Sequence, residues 1–277
     1  MRFGAPIYNY ADPDSWVAAV RAKGYRAAYC PIKLGASQAE IAAYARAAGE
    51  ADIVIAEVGA WGNNPLHPDP AVRKASLEGS KAALAFADEI GARCCVNVAG
   101  SRGERWSGPH DDNLTEETFE MIVAVCREIL DDVRPRQAKW ALEDMPYMYP
   151  DSAENYLRLL AAVDRPMFGV HFDPVNLVNS PQRYYNNGAM IRDFVRQLGP
   201  HIGSCHVKDI ILREGLTVHL DETPAGTGHL DYVTYIQEVN RLDPDTPFLL
   251  EHLHNEGEYD LAAAHIRSVA QGLGITL

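Results

Sequence analysis

Short β-branched or apolar runs alternate with longer amphipathic stretches from one end of the chain to the other. The short runs predict strands at 3–8, 27–31, 53–58, 94–99, 140–143, 168–173, 202–207 and 247–251. The amphipathic stretches predict helices near 14–23, 37–48, 70–90, 115–133, 152–163, 189–198, 230–241 and 258–271. Regular alternation of this kind predicts parallel strands joined by right-handed helical crossovers. Eight such units define a (β/α)8 TIM barrel, an α/β fold that needs about 250 residues. The chain has 277, and no linker or low-complexity tract interrupts it, so residues 1–277 are read as one domain.

Local punctuation supports the count. Ser37-x-x-Glu40 and Asp151-x-x-Glu154 resemble capping boxes, and Gly49 sits where the second helix is expected to stop. Gly24, Gly91 and Gly199 each stand just before a strand, where a turn with positive φ is expected. Helix-to-strand joints are short, whereas the strand-to-helix segments 59–69, 100–114, 174–188 and 208–229 are long and read as loops. In a barrel those segments form the C-terminal face, where active sites lie.

Composition narrows the function. The apolar fraction of 47% is enough for a large core. No segment reads as a secretion signal or a membrane span. The formal net charge of −13 argues against nucleic acid and against anionic membranes as partners. Five cysteines, none in a C-x-x-C pair, read as buried free thiols of a cytoplasmic protein.

Four late strands each finish on a group able to bind metal: Glu143, Asp173, His206 and Glu251. They lie roughly 30 to 45 residues apart, about one βα unit, and so are expected to converge on one rim. Three carboxylates and an imidazole suit one divalent ion, Mn²⁺ first, with Mg²⁺, Co²⁺ or Zn²⁺ as alternatives. Without a cation the carboxylates would repel one another and at least one pKa would rise.

Leu142-Glu143, His171-Phe172-Asp173-Pro174-Val175-Asn176, Cys205-His206-Val207-Lys208-Asp209, Gly226-Thr227-Gly228 and Leu250-Glu251-His252 resemble the xylose isomerase-like TIM barrel superfamily, the sugar phosphate isomerase/epimerase family. The similarity spans the whole chain. It implies one metal bound by Glu143, Asp173, His206 and Glu251, with substrate oxygens completing the coordination. It further implies proton transfer by Glu143 and Glu251 at a carbon next to a carbonyl, through a metal-stabilised enediolate, giving sugar isomerisation or epimerisation. A homo-oligomer is implied by analogy with relatives.

The chain departs from the ketose 3-epimerase pattern, which has His three residues after the ligand Asp and Arg shortly after the ligand His. Here Asn176 takes the first place. Lys208 and Asp209 precede Arg213 near the second. Lys208 could polarise a substrate oxygen, bind a carboxylate or pair with Asp209. These departures keep open a lyase on the same scaffold, either a 3-keto C-glycoside deglycosidase or an inosose dehydratase-like β-eliminating enzyme. An endonuclease-IV-like DNA repair enzyme shares the barrel, but the acidic balance and the missing extra ligands argue against it. A non-catalytic barrel is the remaining alternative. No Gly-rich phosphate loop is evident, which favours a free sugar or glycoside.

Further candidates for contact with substrate are Glu57, Trp61, Asn97, Trp106 and His171, with Asn176 and Lys208. Glu57 and His171 could instead support the ligands from behind. Trp61, Trp106 and Tyr147 could offer flat faces to a sugar ring. Arg102, Arg105 and His110 lie in the long segment after the fourth strand. His252, alternating with Glu251, is expected to point to the helix layer, and His254 to return to the rim.

Overall fold

The computed structural model describes all residues, Met1–Leu277. The barrel strands are Arg2–Ala5, Ala27–Ala28, a broken third strand (Val54–Ile55 and Glu57–Gly59), Cys94–Asn97, Lys139–Glu143, Phe168–Phe172, Ile202–Val207 and Pro247–Leu250. Every neighbouring pair is parallel. The first half of the third strand pairs with the second strand, and its other half with the fourth. Ala56, at the break, closes the circle: its N–H donates to Ala28 O (2.8 Å) and its carbonyl accepts from Cys94 N (3.3 Å). The chain is thus the expected (β/α)8 barrel.

The eight large helices are Pro13–Ala22, Gln38–Ala51, Pro70–Ile90, Glu116–Val133, Ala153–Val163, Asn187–Leu198, Tyr232–Val239 and Glu256–Gly272. Most begin on a side-chain cap that satisfies a free backbone N–H. Asp12 and Ser15 form a reciprocal box, and Asp69, Thr115, Asp231 and Asn255 act alone. The main core, with Trp16, Trp140, Phe172 and Phe248, lies between sheet and helices. Inside the barrel only small clusters remain, Ala27–Ala56–Leu249 and Cys94–Val96–Ala141. Gly4 is required there, because a Cβ would fall 2.0 Å from Ala27 O.

Several local expectations need correction. The first strand ends at Ala5, since Pro6 has no N–H for the ladder. The second helix does not stop at Gly49 but runs to Ala51 and ends on Asp52 at φ 55°. Arg2 and Arg26 bind the Asp52 carboxylate, which anchors that left-handed turn. Ser152, not Asp151, caps the fifth helix; Asp151 instead accepts from Asn155 Nδ2 at 2.7 Å. Gly24 and Gly91 have positive φ as expected, but Gly199 is right-handed at φ −44°. Its smallness serves packing, because a Cβ there would meet Leu242 at 2.7 Å.

The long segments are not plain loops. Residues 174–188 hold two short helices, Pro174–Leu177 and Pro181–Tyr185, each begun by a proline whose missing N–H costs nothing at a helix start. Residues 208–229 hold an antiparallel hairpin, Asp209–Arg213 with His219–Thr223. No helix is long and apolar enough to cross a membrane.

Candidate metal centre

Side chains alternate along a strand, so Ala141 and Glu143, His171 and Asp173, Ser204 and His206, and Leu249 and Glu251 each share the inner face. The second member of each pair stands at the C-terminal end. One ligand atom from each of Glu143, Asp173, His206 and Glu251 lies within 4.8 Å of all the others, and all four residues are buried. His206 Nδ1 is 2.9 Å from Glu251 Oε2 and 3.2 Å from Glu143 Oε1. Asp173 also caps the helix that follows it, its Oδ1 accepting from Val175 N. Its Oδ2 faces Lys208 Nζ at 2.5 Å yet accepts no well-aligned hydrogen bond.

The charges are strongly interdependent. Burial raises Asp173, with the Lys208 ammonium opposing, to about 7. Burial would also raise Glu143, but the hydrogen bond and charge of His206 outweigh it and hold Glu143 below the usual carboxylate range. Glu251 behaves likewise, with His206 and Lys208 overcoming burial. Burial works against a charged His206, and the carboxylates of Glu251, Glu57 and Glu143 overturn it and push the imidazole well up. Three inward carboxylates are therefore balanced by two cations, Lys208 and His206. A donor set of three carboxylate oxygens and one imidazole nitrogen fits a divalent cation of the hard to borderline kind.

Lys208 bonds Glu251 as well as Asp173, and lies 3.5 Å from Glu222. Of the alternatives for this lysine, the structure shows ion pairing with the carboxylates of the cage and none with Asp209. Asp209 instead accepts from the backbone N–H groups of Ile210, Gly226, Gly228 and Leu230. The Gly226-Thr227-Gly228 motif is thus a loop folded around Asp209, and at Gly228 a Cβ would collide with that carboxylate at 2.4 Å.

Beneath the cage Glu57 is buried. It accepts from His206 Nε2 at 3.1 Å, His171 Nε2 at 3.0 Å and Ser204 Oγ at 3.0 Å. Burial would raise this carboxyl, and His206 and His171 hold it well below its ordinary value. Glu57, His171 and His206 also have metal-ligand chemistry, but their contacts are ordinary hydrogen bonds with a proton available at each donor.

A cavity of about 430 Å³ opens above the cage. Trp61 and Trp106 form one wall, their ring centroids 6.1 Å apart. Gly59 lets Trp61 fold back, since a Cβ there would lie 2.2 Å from the indole nitrogen. Tyr29, Asn176 and Lys208 also line the cavity. Asn176 Nδ2 donates to Glu143 Oε1 at 3.2 Å. Asn97 turns elsewhere: it donates to Asn63 O and accepts from Val98 N. Tyr147 bonds Ser107 O, Arg102 bonds Thr118, and Arg213 pairs with Asp221. None of these four lines the cavity.

His252 departs from expectation. Its φ of 56° breaks the strand alternation and turns it into the cavity. There Nδ1 meets Glu222 at 3.0 Å and Nε2 lies 3.4 Å from Glu251. His254 stays exposed, its N–H held by Glu258. Sequence reasoning missed Glu222, because the hairpin that delivers it read as a loop. It also missed Asp144, fully buried behind the cage, whose Oδ1 accepts from Asp173 N at 3.0 Å. Burial, then the nearby Asp173 charge, raises Asp144 well above the carboxylate range. A carboxylate directly beside Glu143 in sequence was the signal available for it.

Fold and site together define a barrel whose C-terminal mouth carries a buried group of three carboxylates and a histidine able to hold a metal ion. The chain belongs to the xylose isomerase-like TIM barrel family, whose sequence profile matches residues 17–269. Comparison with curated proteins gives no significant match. Among solved structures, a xylose isomerase-like TIM barrel protein from Mycobacterium smegmatis in complex with magnesium is similar at TM-score 0.68 and 15% identity, covering 98% of this chain and 96% of that one. D-Psicose 3-epimerase with D-tagatose from Clostridium cellulolyticum H10 gives 0.67 and 14%, covering 100% of both chains. The probable 3-DHS dehydratase AsbF from Bacillus anthracis gives 0.69 and 16%, covering 98% and 99%. At these identities the likeness establishes the fold.

Proposed function

We propose that this chain is a divalent-metal-dependent sugar isomerase or epimerase that moves a proton at a carbon next to a carbonyl. The observation that carries the reading is the meeting of Glu143 and Glu251 at one atom, His206 Nδ1, from strands separated by two others. Both are held below the usual carboxylate range, which favours the ionised form that a proton acceptor needs. Glu143, Asp173, His206 and Glu251 would hold the cation, Mn²⁺ in our reading. When bound, it supplies positive charge that stabilises the negative oxygens developing on the substrate.

One carboxylate takes the proton from carbon; the C–H electron pair forms a carbon–carbon double bond and the carbonyl π pair moves onto oxygen. For epimerisation the other carboxylate enters the step carrying a proton drawn from solvent and returns it to the opposite face, inverting the carbon; if the first carboxylate instead returns its proton to the former carbonyl carbon, as the hydroxyl proton passes to the former carbonyl oxygen, aldose and ketose interconvert. Asn176 holds Glu143 in place. Trp61 and Trp106 offer an apolar wall to the sugar and exclude water. The magnesium complex and the 3-epimerase among the similar structures agree with this reading.

A β-eliminating lyase is the second reading. It is favoured by Asn176 at the cage rim, by the paired indoles, which suit an aromatic leaving group, and by the probable dehydratase among the similar folds. Mn²⁺-loaded protein incubated with a panel of free ketoses in D2O tests the first reading through deuterium incorporation next to the carbonyl. Release of an aglycone from 3-keto glycosides marks the lyase. Neither exchange nor release with any substrate would sink both.

A further inference from the structure

The inner layer directly below the cage is partly polar, although inner layers of such barrels are dominated by branched apolar side chains. Beside Ala141 and Leu249 it holds Glu57, His171 and Ser204, all buried. Burying such groups is unfavourable unless their hydrogen bonds are satisfied, and here three donors converge on the two oxygens of Glu57. His171 and Ser204 each stand two residues before a ligand on the same strand face, so they hold Glu57 in register with the cage above.

His206 has carboxylates on both sides. Glu143 and Glu251 face Nδ1, and Glu57 faces Nε2. A histidine binds a cation through a nitrogen lone pair, so Nδ1 must be bare and the ring proton must sit on Nε2. Glu57 Oε1, 3.1 Å from Nε2, is the acceptor for that proton. Carboxylates placed behind ligand histidines fix the tautomer and ring orientation and raise ligand basicity.

We infer that Glu57 is a positioning residue that commits His206 to bind the metal through Nδ1, and that it thereby sets the affinity of the centre without touching substrate. This rests on the metal-centre reading above. Glu57 lines the floor of the cavity, but both its oxygens are already engaged by protein donors.

The test is Mn²⁺ binding to the full chain without substrate, by calorimetry, in the wild type, Glu57→Gln and Glu57→Ala. Gln offers one acceptor oxygen where three donors converge, so about tenfold weaker binding is expected. Ala removes the acceptor, and about 100-fold is expected. Nitrogen-15 histidine spectra of the Mg²⁺-loaded wild type should show His206 protonated on Nε2 and bare on Nδ1, a signature that general loosening of the fold would not produce. Unchanged Mn²⁺ affinity in Glu57→Gln, or a proton on Nδ1 in the loaded protein, overturns the role of Glu57. If Glu57→Ala does not fold, the isosteric Gln variant and the wild-type spectrum decide. A wild type that binds no Mn²⁺ overturns the metal centre itself, and so separates that failure from a failure of Glu57 alone.

Discussion

Lys208 Nζ lies 2.5 Å from Asp173 Oδ2, so an ammonium group from the seventh strand's end faces a candidate ligand carboxylate of the sixth. Both residues are buried, and removing one partner of a buried pair leaves the other charge uncompensated. Lys208→Met should destabilise the protein in EDTA by about 3–5 kcal/mol. Mn²⁺ should raise the melting temperature of the variant more than that of the wild type, because a cation bound to the native state replaces the lost charge. Thermal melts with EDTA and with Mn²⁺ check this. Equal melting temperatures in EDTA would remove Lys208 from the charge balance.

Glu143→Gln and Glu251→Gln keep an oxygen at each cage position but cannot accept the proton. Each is expected to lower kcat by about 10²–10⁴-fold with little change in thermal stability when metal is present. Steady-state kinetics with the substrate found in the panel, beside metal analysis, provide the check. Near-normal turnover in either variant would exclude that residue from proton transfer.

Trp61 and Trp106 lie side by side in the cavity wall, ring centroids 6.1 Å apart, and the proposed function gives them a role in binding rather than chemistry. Trp106→Ala should raise KM by about fivefold, from the loss of roughly 1 kcal/mol of aromatic contact, and leave kcat within a small factor. A fall in kcat at constant KM would contradict that assignment.

Away from the cage, Asp52 is held at about 2, below its ordinary 3.8, by hydrogen bonds from Arg2 and then Arg26. A depressed carboxyl contributes stability above the unfolded value and loses it as pH falls through the folded one. Asp52→Asn should therefore melt below the wild type at neutral pH, with the gap closing between about pH 4 and pH 2. Asn tolerates the left-handed φ of 55° at this position, so backbone strain does not confuse the result. A gap that is the same at pH 7 and pH 2 would contradict the ion-pair origin.

The barrel and the cage were legible in the chain because both follow from short-range periodicity. Alternation with period two assigns a face to Glu143, Asp173, His206 and Glu251, and the βα repeat returns each to the same rim. Glu57 could be placed on a strand but not given its partners. Its hydrogen bonds to His171, Ser204 and His206 cross the barrel, and strand periodicity carries no information about which residues meet across a closed sheet. Asp144 was passed over because it follows Glu143 and so faces away from the cage.

Sequence by itself determined the eightfold alternation, the Ser37 cap and the convergence of the four strand-end metal-ligand candidates on one rim, since each depends on local spacing. Tertiary structure alone decided that Lys208 stands against Asp173 and Glu251, that Glu57 receives His206 Nε2, and that Glu222 reaches His252. Those contacts arise only when strands distant in the chain are closed into a ring and a left-handed turn at His252 reverses the direction its neighbour's alternation would dictate.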